Sequence, residues 1–215
     1  MSAKTPGKAA PGASAKESRP AKTAPALPED DLDAMIAAAW ARLVRGAADK
    51  RSAFNIVSLG TLGAQGWPEI RSVVLRRVDQ AQRRVIVHTD RRSTKAGEIE
   101  ADGRVSLLFW DPRARLQLRV WGQAQIFTDD PLVDEEWGRL TGPGQRIYRV
   151  PLTPGRMIES PALGDGVIEG DGRDAFAVVA VTVMRFDWLH LRSGGHRRAR
   201  FDQAGDGWQG RWLGP

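Results

Sequence analysis

The chain has 215 residues, 41% of them hydrophobic, enough for one domain or a small pair with a real core. It contains no cysteine, which excludes disulfides, thiolate catalysis and thiol-ligated metal. Of the net charge of +6, Lys4, Lys8, Lys16, Arg19 and Lys22 against Glu17 place +4 within residues 1–28, so the charge does not require a polyanion-binding body in the rest of the chain.

Residues 1–28 are rich in Ala, Pro, Lys and Ser and poor in large apolar side chains, the composition of a disordered basic tail, and the ordered domain is expected over 29–215. No apolar run reaches the length of a signal peptide or a membrane span, so a soluble, cytoplasmic protein is expected, with neither nucleic acid nor membrane as a partner.

Pro28-Glu-Asp-Asp suits a helix start near Pro28. Leu32, Met35, Ile36, Ala39, Trp40, Leu43 and Val44 then recur on one helical face that ends at Gly46. Residues 54–62 read as a strand, 63–66 as a turn and 67–78 as its hairpin partner; a further turn leads into the β-branched run 85–87. A short helix over 93–101, with Ser93 as cap, precedes the strand 104–110, which Asp111-Pro112 breaks. Residues 115–127 alternate: Leu116, Leu118 and Val120 point one way, Gln117, Arg119, Trp121 and Gln123 the other, a half-polar face on which a ligand can lie. Thr128-Asp-Asp-Pro131 starts another helix, with Trp137 and Leu140 on its apolar side. Residues 141–173, broken by Pro151, Pro154 and Pro161, read as a lid, an interface arm or a disordered loop. The strand 176–191 and a hairpin of 196–202 with 208–213 close the chain. Six or seven strands in hairpins, with helices at the periphery, predict a mainly β fold, an antiparallel barrel closed or partly closed.

Two basic clusters stand out. His88, Thr89, Arg91, Arg92, Ser93 and Lys95 sit where a strand hands over to a helix, an arrangement that suits a phosphate dianion, although a charge run of this kind is more often a solvated basic turn. On a strand, His196, Arg198 and Arg200 share one face and Arg197, Ala199 and Phe201 the other. That face either meets a ligand or guards a sheet edge with arginine. His88, His190 and His196 lack metal-ligand spacing, so no metal site is expected, and no G-x-S-x-G nucleophile elbow is present.

Seven short stretches occur in the order seen in the pyridoxamine 5'-phosphate oxidase family. They are Arg-Ser-Val-Val-Leu-Arg (71–76), His-Thr followed by Ser and Lys (88–95), Val-Ser-Leu-Leu-Phe-Trp (105–110), Gln-Leu-Arg-Val-Trp-Gly (117–122), Trp-Leu (188–189), His-Arg-Arg-Ala-Arg-Phe (196–201) and the ending Trp-Gln-Gly-Arg-Trp-Leu-Gly-Pro (208–215). The chain resembles in particular that family's FMN-binding branch of unassigned substrate, over roughly 56–215. The resemblance implies an antiparallel FMN-binding split β-barrel with peripheral α-helices, a homodimer with FMN at the subunit interface, and oxidoreductase activity on a small molecule. It implies that Arg71 and Lys95 hold the FMN phosphate with Ser93, that Val74, Leu75, Arg76, His88 and Thr89 line the flavin and ribityl chain, and that Gln117 and Arg200 complete the site. Arg92 takes the place of a guanidinium the family carries beside that lysine. His196 and Arg198 stand, in reversed order, where the family has its Arg-x-His pair and are the catalytic candidates.

The departures fall at the substrate end: Arg76 replaces a lysine, and the positions near Thr141 and Gln145 offer no counterpart to the family's substrate-phosphate residues. A flavin-binding carrier with little turnover and a deazaflavin-using reductase remain alternatives. Strict alternation puts Arg71 and Arg76 on opposite faces, so a bulge or an edge-on cofactor is expected. Gln117, Trp121 and an arm over 152–168 would leave a surface for a second copy to cover. Neither Arg71 nor Lys95 belongs to the apolar pattern, so replacing either is expected to leave the cofactor-free protein as stable as before.

Overall fold

The stripe from Leu32 to Val44 forms α1 (Leu32–Ala48) in a computed structural model that describes Met1 and residues 27–215. Asp31 caps the helix through a bond from the Ala34 N–H, so it begins later than the start expected at Pro28. Met35, Ala39, Trp40 and Leu43 bury its inner face. The disordered tail expected over 1–28 lies, apart from Met1, Leu27 and Pro28, outside the described residues.

Eight strands follow, where six or seven were expected: β1 (Ile56–Leu62), β2 (Pro68–Asp79), β3 (Arg84–Asp90), β4 (Arg104–Asp111), β5 (Leu116–Phe127), β6 (Phe176–His190), β7 (Arg197–Ala204) and β8 (Gly207–Leu213). The short run 85–87 grows into β3 because β6 pairs along its whole length, from Arg84↔Thr182 to Asp90↔Phe176. Helices α2 (Thr94–Ala101), α3 (Pro131–Gly138) and α4 (Gly142–Arg146) lie between strands. Among the described residues, 147–175 contain two 3-10 turns and no strand.

All neighbouring strands are antiparallel, in the order β3-β2-β1-β4-β5-β6-β7-β8, and the extra pairing of β3 with β6 closes the first six into a barrel. The 15-residue β6 makes this possible, since its first half pairs β3 while its second half pairs β7, with β5 alongside throughout. Between those halves β5 shifts register at Trp121/Gly122. A Cβ on Gly122 would lie 2.3 Å from the Thr182 carbonyl oxygen, so this crossing requires glycine.

Inward side chains alternate as the sequence pattern requires: Leu59, Leu75, Val87, Leu107, Leu118 and Val181 are all buried in one core, with α1 packed against it. A second core lies outside β3 and β6, where Ile86, Phe176 and Val178 meet Val133 of α3 and Tyr148. It holds α3 against the barrel wall that carries His88.

Leu107 and Val85 are fully enclosed, so Leu107→Ala should lower unfolding free energy by about 2–5 kcal/mol, and Val85→Ala by a smaller amount, with or without any cofactor. Denaturant unfolding checks this; a loss below about 1 kcal/mol for Leu107→Ala would mean the barrel interior is not close-packed there.

Candidate functional site

The start of α2 assembles the first basic cluster. Ser93 occupies the cap position but makes no capping bond; its hydroxyl instead meets Thr89 Oγ1 at 3.0 Å and accepts from Lys95 Nζ at 3.2 Å. One turn on, Glu98 reaches back to the β1–β2 hairpin, where its Oε2 accepts from Thr61 Oγ1 at 2.5 Å and from Arg71 Nη2 at 2.8 Å. Arg71 Nη1 also donates to Thr61 Oγ1. Arg71, Ser93 and Lys95 therefore stand in one corner, with Thr89 and Ser93 buried beneath. Burial and then the Arg71 charge lower the Lys95 pKa, while Asp90 and Glu98 only partly oppose them. Among the described residues Lys95 forms no ion pair and bonds the Ser93 hydroxyl, which fits an anion arriving beside it.

The second group lines a cleft of about 340 Å³ formed by Val74, Leu75, Arg76 and His88 on the barrel, Glu136, Arg139 and Leu140 at α3, and Ala47, Lys50 and Asn55 near the end of α1. The bulge expected in β2 is present: Leu75 pairs with Val87 and Arg77 with Ile86, leaving Arg76 as the extra residue. It does not bring Arg76 to Arg71. Arg71 turns to the Thr61–Glu98 corner, Arg76 to the cleft, and Arg77 to Glu135 at 2.7 Å and Glu136 at 3.4 Å. His88 Nε2 bonds Glu136 Oε2 at 2.9 Å, and both side chains are buried. Burial pushes the Glu136 carboxyl up, but the His88 bond and charge, followed by Arg77 and Arg139, hold it below its ordinary range. Among the described residues, His88 Nδ1 and Arg76 Nε are buried without partners, two unmet polar atoms in residues lining one cleft. Such a wall suits a polar, planar ligand.

The third group lies on the outer face of β5, β6 and β7. Asp187, buried, accepts from Arg119 Nη2 at 2.8 Å and Arg198 Nη2 at 3.0 Å; Asp202 takes Arg185 at 2.7 Å and Arg200 at 2.9 Å. The Arg119 guanidinium lies 5.0 Å from the Trp121 ring. Arg198 and Arg200 share a face as expected, but His196 does not join them. It precedes β7, is exposed, and its Nδ1 accepts from the Arg192 N–H at 3.1 Å. Arg92 also departs from expectation: Asp90 at 2.6 Å and the Val150 carbonyl at 3.1 Å engage its guanidinium. Gln117 on β5 lies across the closed barrel from β2, and Arg200 on β7 lies beyond β6, so strand pairing within one chain brings neither to Arg71.

The sequence pattern did not mark the acids that hold these cations. Glu98 had a usable signal, standing three residues after Lys95 on a short helix. Asp187 had another, a carboxylate between Phe186 and Trp188 in an apolar strand. Glu136 had none to separate it from Glu135.

A family model described as pyridoxamine 5'-phosphate oxidase matches residues 28–149, more than half of the chain. The chain belongs to the pyridoxamine 5'-phosphate oxidase family. The matched segment begins before α1 and contains Arg71, Lys95 and Gln117, while β6 to β8 lie beyond it. The pyridoxine/pyridoxamine 5'-phosphate oxidase of Rhizobium meliloti (strain 1021) is 29% identical over 126 residues, 58% of this chain and 59% of that protein. For the curated relatives of this kind, the matched stretch spans from 33% to 59% of their own length. A pyridoxamine 5'-phosphate oxidase-related, FMN binding protein from Nostoc punctiforme PCC 73102 superposes with a TM-score of 0.69 at 21% identity, covering 83% of this chain and 96% of that one. PhzG from Burkholderia lata 383, in complex with tetrahydrophenazine-1-carboxylic acid, gives 0.64 at 20% identity, with 86% and 90% covered. At such identities the likeness is one of fold, the antiparallel split barrel. Among the described residues, no helix is long and apolar enough to cross a membrane.

The Glu98 contact argues against the expectation that Arg71 is dispensable for stability. Arg71→Ala should lower unfolding free energy by about 1–3 kcal/mol because it strands a buried carboxylate, and Arg71→Ala with Glu98→Gln should recover part of that loss. Thermal and denaturant unfolding of the two cofactor-free variants decides it; equal losses would mean the pair contributes nothing.

Proposed function

We propose that this chain is an FMN-binding flavoprotein, an oxidoreductase of the pyridoxamine 5'-phosphate oxidase family acting on a small substrate. The observation that carries the reading is the corner formed by Arg71, Ser93 and Lys95, which offers cations and a hydroxyl to one phosphate group. The residues present fit the cofactor. Among the described residues, Lys95 forms no ion pair, Arg76 and His88 keep buried unpaired nitrogens, and Val74 and Leu75 give the cleft an apolar strip. Bound flavin would supply two-electron redox chemistry, and the chain's own residues position it and set its surroundings.

The same reading takes the protein to be a homodimer. Ile56, Ile70 and Trp110 are 54%, 71% and 42% exposed on the outer face of β1, β2 and β4, continuous through β5 with Gln117 and Trp121. A second copy on this face would bring Gln117 and Arg200 toward the Arg71 corner that lacks them. Sedimentation should therefore give a dimer at micromolar concentration, and Ile70→Glu should yield monomers that bind FMN weakly. A wild-type monomer that binds FMN would overturn the dimeric site.

One observation favours a second reading, a flavin carrier with little turnover: His196 is exposed and off the strand, and Arg198 is tied to Asp187. Anaerobic bleaching of the bound flavin by amines, aldehydes or nicotinamide nucleotides separates the two.

The purified protein should be yellow, with about one FMN per chain. Lys95→Ala should weaken FMN by roughly ten- to a hundredfold and riboflavin far less, since only FMN carries the phosphate that the lost ammonium bonds. Fluorescence titration measures both, and equal losses would make the basic cluster a solvated turn.

A further inference from the structure

We propose that Glu98 is a positioning residue that limits how tightly the Arg71–Lys95 corner holds a phosphate, a built-in counter-ion that keeps the phosphorylated cofactor exchangeable. This rests on the reading of that corner as the phosphate site. Glu98 is buried, and its Oε2 takes both the Arg71 guanidinium at 2.8 Å and the Thr61 hydroxyl at 2.5 Å. The guanidinium is held further by Thr61 and by the Glu69 carbonyl oxygen at 3.3 Å. It is thereby fixed against the β1–β2 hairpin without depending on the Glu98 charge alone.

The facing groups come from four elements: Thr61 on β1, Arg71 on β2, Thr89 and Asp90 on β3, and Ser93, Lys95 and Glu98 at α2. Asp90 is committed to Arg92, through bonds of 2.6 and 3.0 Å. That leaves two cations and one carboxylate in the corner, a single positive charge in excess. A phosphate dianion that bonds Arg71 and Lys95 competes with Glu98 for the same guanidinium and meets a like charge about two hydrogen-bond lengths away. In a half-buried setting such repulsion is weakly screened, so it subtracts from affinity on the order of tenfold. Arg71 therefore has two acceptors to choose between, and the choice is what Glu98 contributes.

The test uses the full chain stripped of flavin, titrated with FMN, riboflavin and inorganic phosphate. Glu98→Gln keeps an oxygen for Arg71 and Thr61 and removes the charge; Glu98→Met, of similar length, removes charge and acceptor together and serves where the first variant folds poorly. The expected result is FMN and inorganic phosphate binding about tenfold tighter in the uncharged variants, with riboflavin unchanged. Unfolding midpoints of the same samples read the structural role separately. FMN affinity that is unchanged or weaker in both variants, or a gain shared equally by riboflavin, overturns the proposal. If the wild-type chain binds FMN no better than riboflavin, the phosphate reading itself falls and takes the proposal with it.

Discussion

A carboxylate lent by a helix to a strand governs the arrangement of this site. Arg71 pairs with Leu59 midway along the β1–β2 hairpin, where an unpaired guanidinium would extend into water. Glu98 turns it inward over α2, and Lys95 and Ser93 stand one turn earlier on the same helix segment. Breaking such a pair costs more than the pair contributes, because the buried acid is left without its partner. Function and stability are therefore joined at Arg71 and separable at Lys95, whose only side-chain bond among the described residues is to the Ser93 hydroxyl.

The barrel sets where the remaining parts can stand. Because β6 pairs β3 on one side and β5 on the other, β2 and β5 face away from each other across a closed wall. Gln117 and Arg200 cannot approach Arg71 within that wall without breaking strand pairing. The exposed apolar side chains of β1, β2 and β4 lie on the sheet face that continues to Gln117, so one packing event could cover the apolar surface and complete the polar site. The β2 bulge has a narrower effect. It separates two adjacent arginines, sending Arg77 to the acids of α3 and leaving Arg76 in the cleft without neutralisation at Nε.

Strands and barrel were legible because their side chains alternate with a period of two over long runs, as in Leu116 to Val120, and the pattern needs no partner to be recognised. The short β3 was under-read because its length comes from pairing with β6, 86 to 98 residues later in sequence. The cations were legible as a cluster, and the family resemblance assigned them roles. What stayed hidden was their countercharge. Glu98, Glu136 and Asp187 are ordinary acids in the sequence, and only the packing of α2, α3 and β7 shows that each is buried against an arginine or histidine. His196 was misplaced for a related reason, since Gly195 at positive φ turns the chain and the strand begins one residue later.

A crystal structure of the FMN-loaded protein tests the central assignment most directly. The phosphate oxygens are predicted to lie within hydrogen-bond distance of Lys95 Nζ and Ser93 Oγ, with the ring beside Val74 and Leu75. A phosphate seated instead against Arg76 and His88, with the Lys95 corner left to solvent, would contradict it.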